Sequence, residues 1–272
     1  MVTFSGSVIL VVIPLKTNLK FTLKHLLTAI AFVALIAAFY SAYLQINRTA
    51  ELANSCLLAR FIVMELEANA VAHDGLLTPA IETAEDGTEM HSWRFVSCRM
   101  LFGDMVQVGF YGQAPDSAYN HPWNHPRNKR YYDGPHRDYG GSPNSFIDAP
   151  HGDHSTRYSA ITGPGTAFDD SGTTVFYSDL DDDTILFVET RNSGHHWMKP
   201  GGDFDVTSMP SSIGLPNGIS GRDSRGFIVA FADKQVWVLS HDTPLSDLAK
   251  FFTIADSKKH NRAEELEHYR VR

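Results

Sequence analysis

The apolar positions of the chain fall into three successive regimes. From Leu26 to Leu44 the sequence reads LLTAIAFVALIAAFYSAYL, nineteen positions without a charge. A helix rises 1.5 Å per residue, so a run of this length crosses the roughly 30 Å hydrocarbon layer of a bilayer. From Ala53 to Ala72 the pattern turns amphipathic: Leu57, Phe61, Met64, Ala68 and Val71 recur at i, i+4, i+7, i+11 and i+14. That is one helical stripe, expected to pack on a folded domain after a break in the helix. Gly75 is the expected C-terminal cap and Pro79 follows it. Farther on, short β-branched and aromatic runs predict strands at Thr173–Tyr177, Thr184–Thr190, Gly226–Ala232 and Gln235–Ser240. The last two flank Asp233-Lys234 as a two-residue hairpin. Residues 112–158 are rich in His, Pro, Asn, Gly, Asp and Tyr without periodicity and read as long loop or insertion. A helix first and strands afterwards is an α+β order.

Charge orients the apolar run. Lys16, Lys20 and Lys24 precede it with no acidic residue, whereas Arg48 and Arg60 after it are interspersed with Glu51 and Glu65. Lysine excess marks the cytoplasmic side, so the C-terminal bulk is expected outside. Tyr40 and Tyr43 stand where an interfacial aromatic belt would lie. A cleaved signal peptide is the rival reading; it has a shorter apolar core and a small-x-small site, and Tyr40 spoils that pattern around Ala42. The expected organisation is a cytoplasmic segment at 1–20, an anchor at 21–45, an extracytoplasmic domain at 46–255 and a charged tail at 256–272, a frayed helix. The bilayer is thus a partner through Leu26–Leu44. The net charge of −8 argues against nucleic acid, which requires a basic face. Thirteen histidines make the charge sensitive to mild acidification. Cys56 and Cys98 could pair in an oxidising compartment, but two thiols alone make no zinc site.

Candidate chemistry is sparse. Asp179, Asp181 and Asp183, with Asp182 and Glu189 nearby, alternate carboxylates on a turn before a strand, the oxygen-rich arrangement that Ca²⁺ requires. An EF-hand loop would need Gly where Thr184 stands and Glu where Thr190 stands, so that motif fails; a solvated acidic turn is the alternative. His151 and His154, with His121, His125 and His136 upstream, are read as a surface loop or as a transition-metal site, and His195-His196 likewise. No Gly-x-Ser-x-Gly elbow occurs and neither cysteine lies in a catalytic signature. Pro164 between Gly163 and Gly165 removes a donor N–H, so that turn is a structural corner, not a phosphate cradle. Trp93, Trp123 and Trp197 are expected to be buried anchors, with a carbohydrate or peptide groove as the alternative.

Two sets of residues carry a resemblance. Phe21-Thr22-Leu23 ahead of the apolar run resembles the start of type IV prepilins and pseudopilins, with Lys20 where they have glycine and His25 where they have glutamate. Processing and assembly depend on those two residues in that family, so the helix is expected to be a permanent tether. Met90-His91-Ser92-Trp93-Arg94, Pro122-Trp123-Asn124 through Asn128, Gly163-Pro164-Gly165-Thr166-Ala167-Phe168, Thr184–Glu189, Trp197–Asp203 and Phe227–Asp233 follow in order. Together with the Cys56-led helix they resemble a bacterial family, the domain of unknown function 1559, over about residues 21–255. That family ends with a His, then Asp-Gly; here Asp223 and Asp233-Lys234 occupy those places. The resemblance implies a pilin-like helix followed by an antiparallel sheet with long loop insertions. It also implies an inner-membrane location, calcium in an acidic loop as in major pseudopilins, and contacts with other envelope or pseudopilin-like proteins. The expected function is non-enzymatic and works through protein contacts, with a solute- or carbohydrate-binding module or a metal-dependent hydrolase as alternatives.

Overall fold

The computed structural model describes residues 23–97, 121–131, 155–191, 193–209, 212–215 and 218–271. They belong to two compact units, the first ending at Leu52 and the second running from Ala53 to Arg272.

Helix α1 runs from Leu23 to Ala72 as one uninterrupted element. The expected break after the apolar run is absent, because neither Gly nor Pro occurs between Leu26 and Ala72 to interrupt the hydrogen-bond ladder. The helix is long and apolar enough to cross a membrane. It ends where Asp74 and Gly75 take positive φ of 56° and 86°, and the Gly75 N–H reaches back to the Ala70 carbonyl at 2.8 Å.

In the second unit a two-stranded ribbon, β1 (Ile81–Thr83) with β2 (Glu89–Ser92), leads into the short helix α2 (Trp93–Ser97). The main sheet has five strands: β3 (Tyr158–Thr162), β4 (Ile185–Glu189), β5 (Phe204–Asp205), β6 (Gly226–Phe231) and β7 (Val236–Ser240). Their spatial order is β5-β3-β4-β6-β7, antiparallel throughout except for the β3–β5 pair. The chain is therefore α+β, as its element order implies. Thr173–Tyr177 does not form the expected strand: Phe176 makes a single bridge to Leu76, and Tyr177–Asp179 coils into a 3₁₀ turn. Of the long connection at 112–158, only 121–131 and 155–158 lie among the described residues.

Every residue of β3, β4 and β6 is buried, so both faces of the sheet are covered. One face presents Ile161, Val188, Phe227, Val229 and Leu239 to Leu248, Phe251, Phe252 and Leu266 from the C-terminal helices. The other presents Tyr158 and Phe187, with Trp93 stacked on Phe187 and the Tyr158 hydroxyl donating to the Ser55 carbonyl of α1 at 3.2 Å. Among the described residues 256–271 the chain is folded onto the domain. Asn261 caps a short helix, Arg262–Glu265, and Leu266 is fully buried beyond it.

The β6–β7 turn also differs from expectation. The Lys234 N–H bonds to the Phe231 carbonyl and the Phe231 N–H to Gln235, closing a three-residue loop with Lys234 at φ 70°. A type I turn followed by one left-handed residue needs only a single positive φ, so a lysine serves where a two-residue loop would want Asn-Gly. Lys234 gains a contact there, its ammonium lying 2.8 Å from both carboxylate oxygens of Glu67 on α1.

Candidate functional site

Many of the motif residues lie in the interior, His91–Arg94, Thr184–Glu189 and Phe227–Phe231 among them. Ser92 donates to the Trp197 carbonyl at 2.7 Å, and Trp93 Nε1 donates to Asp203 Oδ1 at 3.0 Å. Arg94 is wholly inaccessible and spends its guanidinium on three acceptors: the Tyr158 carbonyl at 2.6 Å, the Gly201 carbonyl at 3.2 Å and Asp203 Oδ1 at 2.5 Å. The Ala160 N–H donates to the same carboxylate oxygen at 2.8 Å. One aspartate thus pins α2, β3 and the segment before β5 together. Burial pushes its carboxyl above the usual range, and Arg94, Trp93 and the Ala160 N–H oppose that shift. Gly163 and Thr166 make the structural corner that Pro164 implied: Thr166 donates to the Gly163 carbonyl, and a Cβ on Gly163 would meet Asp205 Oδ1 at 2.9 Å.

The acidic turn is held by a cation from the same chain. The Arg262 guanidinium reaches Asp183 Oδ1 at 3.0 Å and Asp233 Oδ1 at 2.9 Å, while its backbone N–H donates to Asp183 Oδ2 at 2.9 Å. It lies over Phe231 and Trp237, 4.6 and 5.4 Å from their ring centroids. Asp181 accepts the Asp183 N–H within its own turn, and Asp179 caps the Phe176 N–H. Glu189 is engaged elsewhere. It is buried in the sheet, pairs with Arg157 at 2.9 Å and accepts the Ile228 N–H at 3.2 Å. Asp179, Asp181, Asp183 and Glu189 therefore do not converge. Among the described residues no group of three or more His, Cys, Asp or Glu is placed to hold a metal ion. Arg262→Ala would leave two carboxylates facing each other without their shared donor, so a loss of about 2–4 kcal/mol is expected in denaturant unfolding.

Beside Arg157 and Glu189, the half-buried Cys56 thiol is pushed up to about 11, by burial first and then by the Glu189 charge. Such a thiol is protonated and inert at neutral pH; Cys98 lies outside the described residues, as do His136, His151 and His154. His121 and His125 stack on each other with centroids 4.1 Å apart. Trp93 and Trp197 are fully buried and offer no face to a solute; Trp123 is half-buried against the His196 ring.

His195 lies close against Gly202, where a Cβ would stand 2.4 Å from the imidazole Cγ. Its Nε2 bonds the Lys199 and Pro200 carbonyls at 3.1 and 3.0 Å. Burial, with Arg94 and Lys199 acting in the same sense, lowers its basicity; the Lys199 carbonyl and Asp203 act against this. A histidine with a depressed folded value takes its proton in the unfolded chain first, so its neutral form favours folding above about pH 6.5 and that margin shrinks as pH falls through this value. The fall in melting temperature between about pH 7.5 and pH 5.5 is expected to be smaller in His195→Gln than in the parent.

The remaining feature is the surface of α1. In the second unit its buried residues are Ser55, Ala59, Ile62, Val63, Leu66 and Ala70. The stripe expected to face the domain points away instead: Leu57 is 52% exposed, Phe61 40%, Met64 43% and Val71 75%. This helix is apolar on both sides, so the pattern alone could not select which stripe meets the sheet. In the first unit every described side chain of the span Leu26–Leu44 is exposed. No protein-family model, curated protein or solved structure matches the chain.

Proposed function

We propose that this is a single-pass membrane protein of the cell envelope whose α+β domain lies outside the cytoplasm and works through protein contacts, without catalysis. The observation that carries the reading is the uninterrupted apolar surface of Leu26–Leu44, exposed throughout on a helix long enough to span a bilayer. Water would penalise that surface by about 25 cal/mol for every Å², whereas lipid accepts it at no cost. The lysines before it and the mixed charges after it support an N-terminus in the cytoplasm.

The pilin-like arrangement belongs to the same proposal. An apolar half-helix continues into a half-helix that backs an antiparallel sheet, and the motif order resembling the domain of unknown function 1559 runs along the same chain. In the described residues many of the motif side chains serve the interior, which supports a scaffold presenting an outer surface. Lys20 and His25 in place of glycine and glutamate favour a tether that is neither cleaved nor polymerised. Alkaline carbonate extraction of membranes from cells making the full chain tests the reading. The chain is expected in the pellet with its N-terminus intact; recovery in the supernatant, or a mature N-terminus beyond Leu44, would contradict it.

A further inference from the structure

The outward stripe of α1 has the spacing of a coiled-coil seam. Asn54, Leu57, Phe61, Met64, Ala68 and Val71 alternate steps of three and four residues, the a and d positions of a heptad repeat. The residues between them, Ser55, Ala59, Ile62, Val63, Leu66 and Ala70, are the ones buried against the domain, so seam and domain occupy opposite sides of the helix. Read back along the sequence, the same spacing falls on Ala50, Asn47, Tyr43, Tyr40, Ile36 and Val33.

We propose that this face is occupied by the same face of a second copy of the chain, as a parallel two-stranded coiled coil; the proposal rests on the membrane-anchored reading above. Two features select this occupant. The first is charge. In a parallel pair the g residue of one helix lies beside the e residue of the next heptad on its partner. Here g is Arg60 and that e is Glu65, so a self-pair sets arginine against glutamate twice by symmetry. The second is Asn54 at an a position, with Asn47 one heptad earlier. An asparagine at a pairs with its own counterpart in a parallel dimer, fixing register and two-fold stoichiometry at some expense of stability. Two copies tethered in one membrane by the same N-terminal span are already parallel and concentrated, which lowers the cost of association.

The test uses the full chain in native membranes, made as two differently tagged copies. Single cysteines are introduced at Leu57, Phe61 or Met64, with Glu85→Cys as an exposed control on the β1–β2 loop, in a Cys56→Ser, Cys98→Ser background. Copper-catalysed air oxidation should join the two tags at Leu57→Cys, Phe61→Cys and Met64→Cys but not at Glu85→Cys. Arg60→Glu or Glu65→Arg added to Met64→Cys should each reduce the joined fraction severalfold, and the double exchange should restore it. A product whose mass is not that of two copies would overturn the proposal in favour of another protein. Absence of any product, in a chain that resists carbonate extraction, would overturn it while leaving the anchor intact. Tags that join in a chain extracted by carbonate would support the pair and contradict the anchor.

Discussion

Replacing Arg94 by methionine is expected to cost the folded domain about 3–5 kcal/mol, the range for removing one partner of a buried ion pair. The loss has two parts. Asp203 would remain a buried carboxylate with only the Trp93 Nε1 and Ala160 N–H donors, and the Tyr158 and Gly201 carbonyls would each lose an Arg94 donor. Asp203→Asn keeps an acceptor for Trp93 and Ala160 while removing the charge, so the double variant Arg94→Met/Asp203→Asn should be more stable than Arg94→Met alone. Guanidinium unfolding of the full chain in detergent, followed by tryptophan fluorescence, measures both; Trp93 itself sits in the node. A double variant no more stable than the single one would show that the uncompensated charge is not the dominant cost.

The second large effect lies in the apolar span. Phe32→Arg combined with Leu35→Arg places two guanidinium groups near the middle of the run, away from the seam positions. Each arginine at a helix centre costs about 2.5–3.5 kcal/mol of insertion free energy, against a few tenths gained per apolar residue. The double variant is therefore expected to move from the carbonate-resistant pellet to the soluble or degraded fraction, while Phe32→Leu with Leu35→Ile stays in the pellet. Equal retention of both variants would mean that something other than this helix holds the chain at the membrane.

Much of this molecule is legible in its sequence because single stretches carry their own signals. Nineteen uncharged positions announce the apolar half of α1, and β-branched and aromatic runs announce β4, β6 and β7. The misreadings arise where the signal is shared or distant. Residues 53–72 are apolar on two faces; periodicity found Leu57, Phe61, Met64 and Val71, but burial went to the stripe containing Ala59, Ile62 and Leu66. Thr173–Tyr177 has strand composition, yet it makes only the single bridge of Phe176 to Leu76, and composition cannot supply a partner strand. The acidic turn shows its carboxylates in sequence but not its neutralising charge, because Arg262 stands 79 residues from Asp183. Nothing local in the sequence says where the Arg262 guanidinium points. Glu189 likewise meets Arg157 only through the pairing of Tyr158 with Glu189 across β3 and β4.

The central claim is a single span with the folded domain outside the cytoplasm, and protease accessibility from one side of the membrane tests it most directly. The full chain, carrying a C-terminal epitope, is made in a bacterial host and the cells are converted to intact spheroplasts. Added protease should destroy the epitope while a cytoplasmic marker survives, and untreated chain should remain in the membrane pellet. An epitope that survives in intact spheroplasts and disappears only after lysis would place the domain inside and contradict the account.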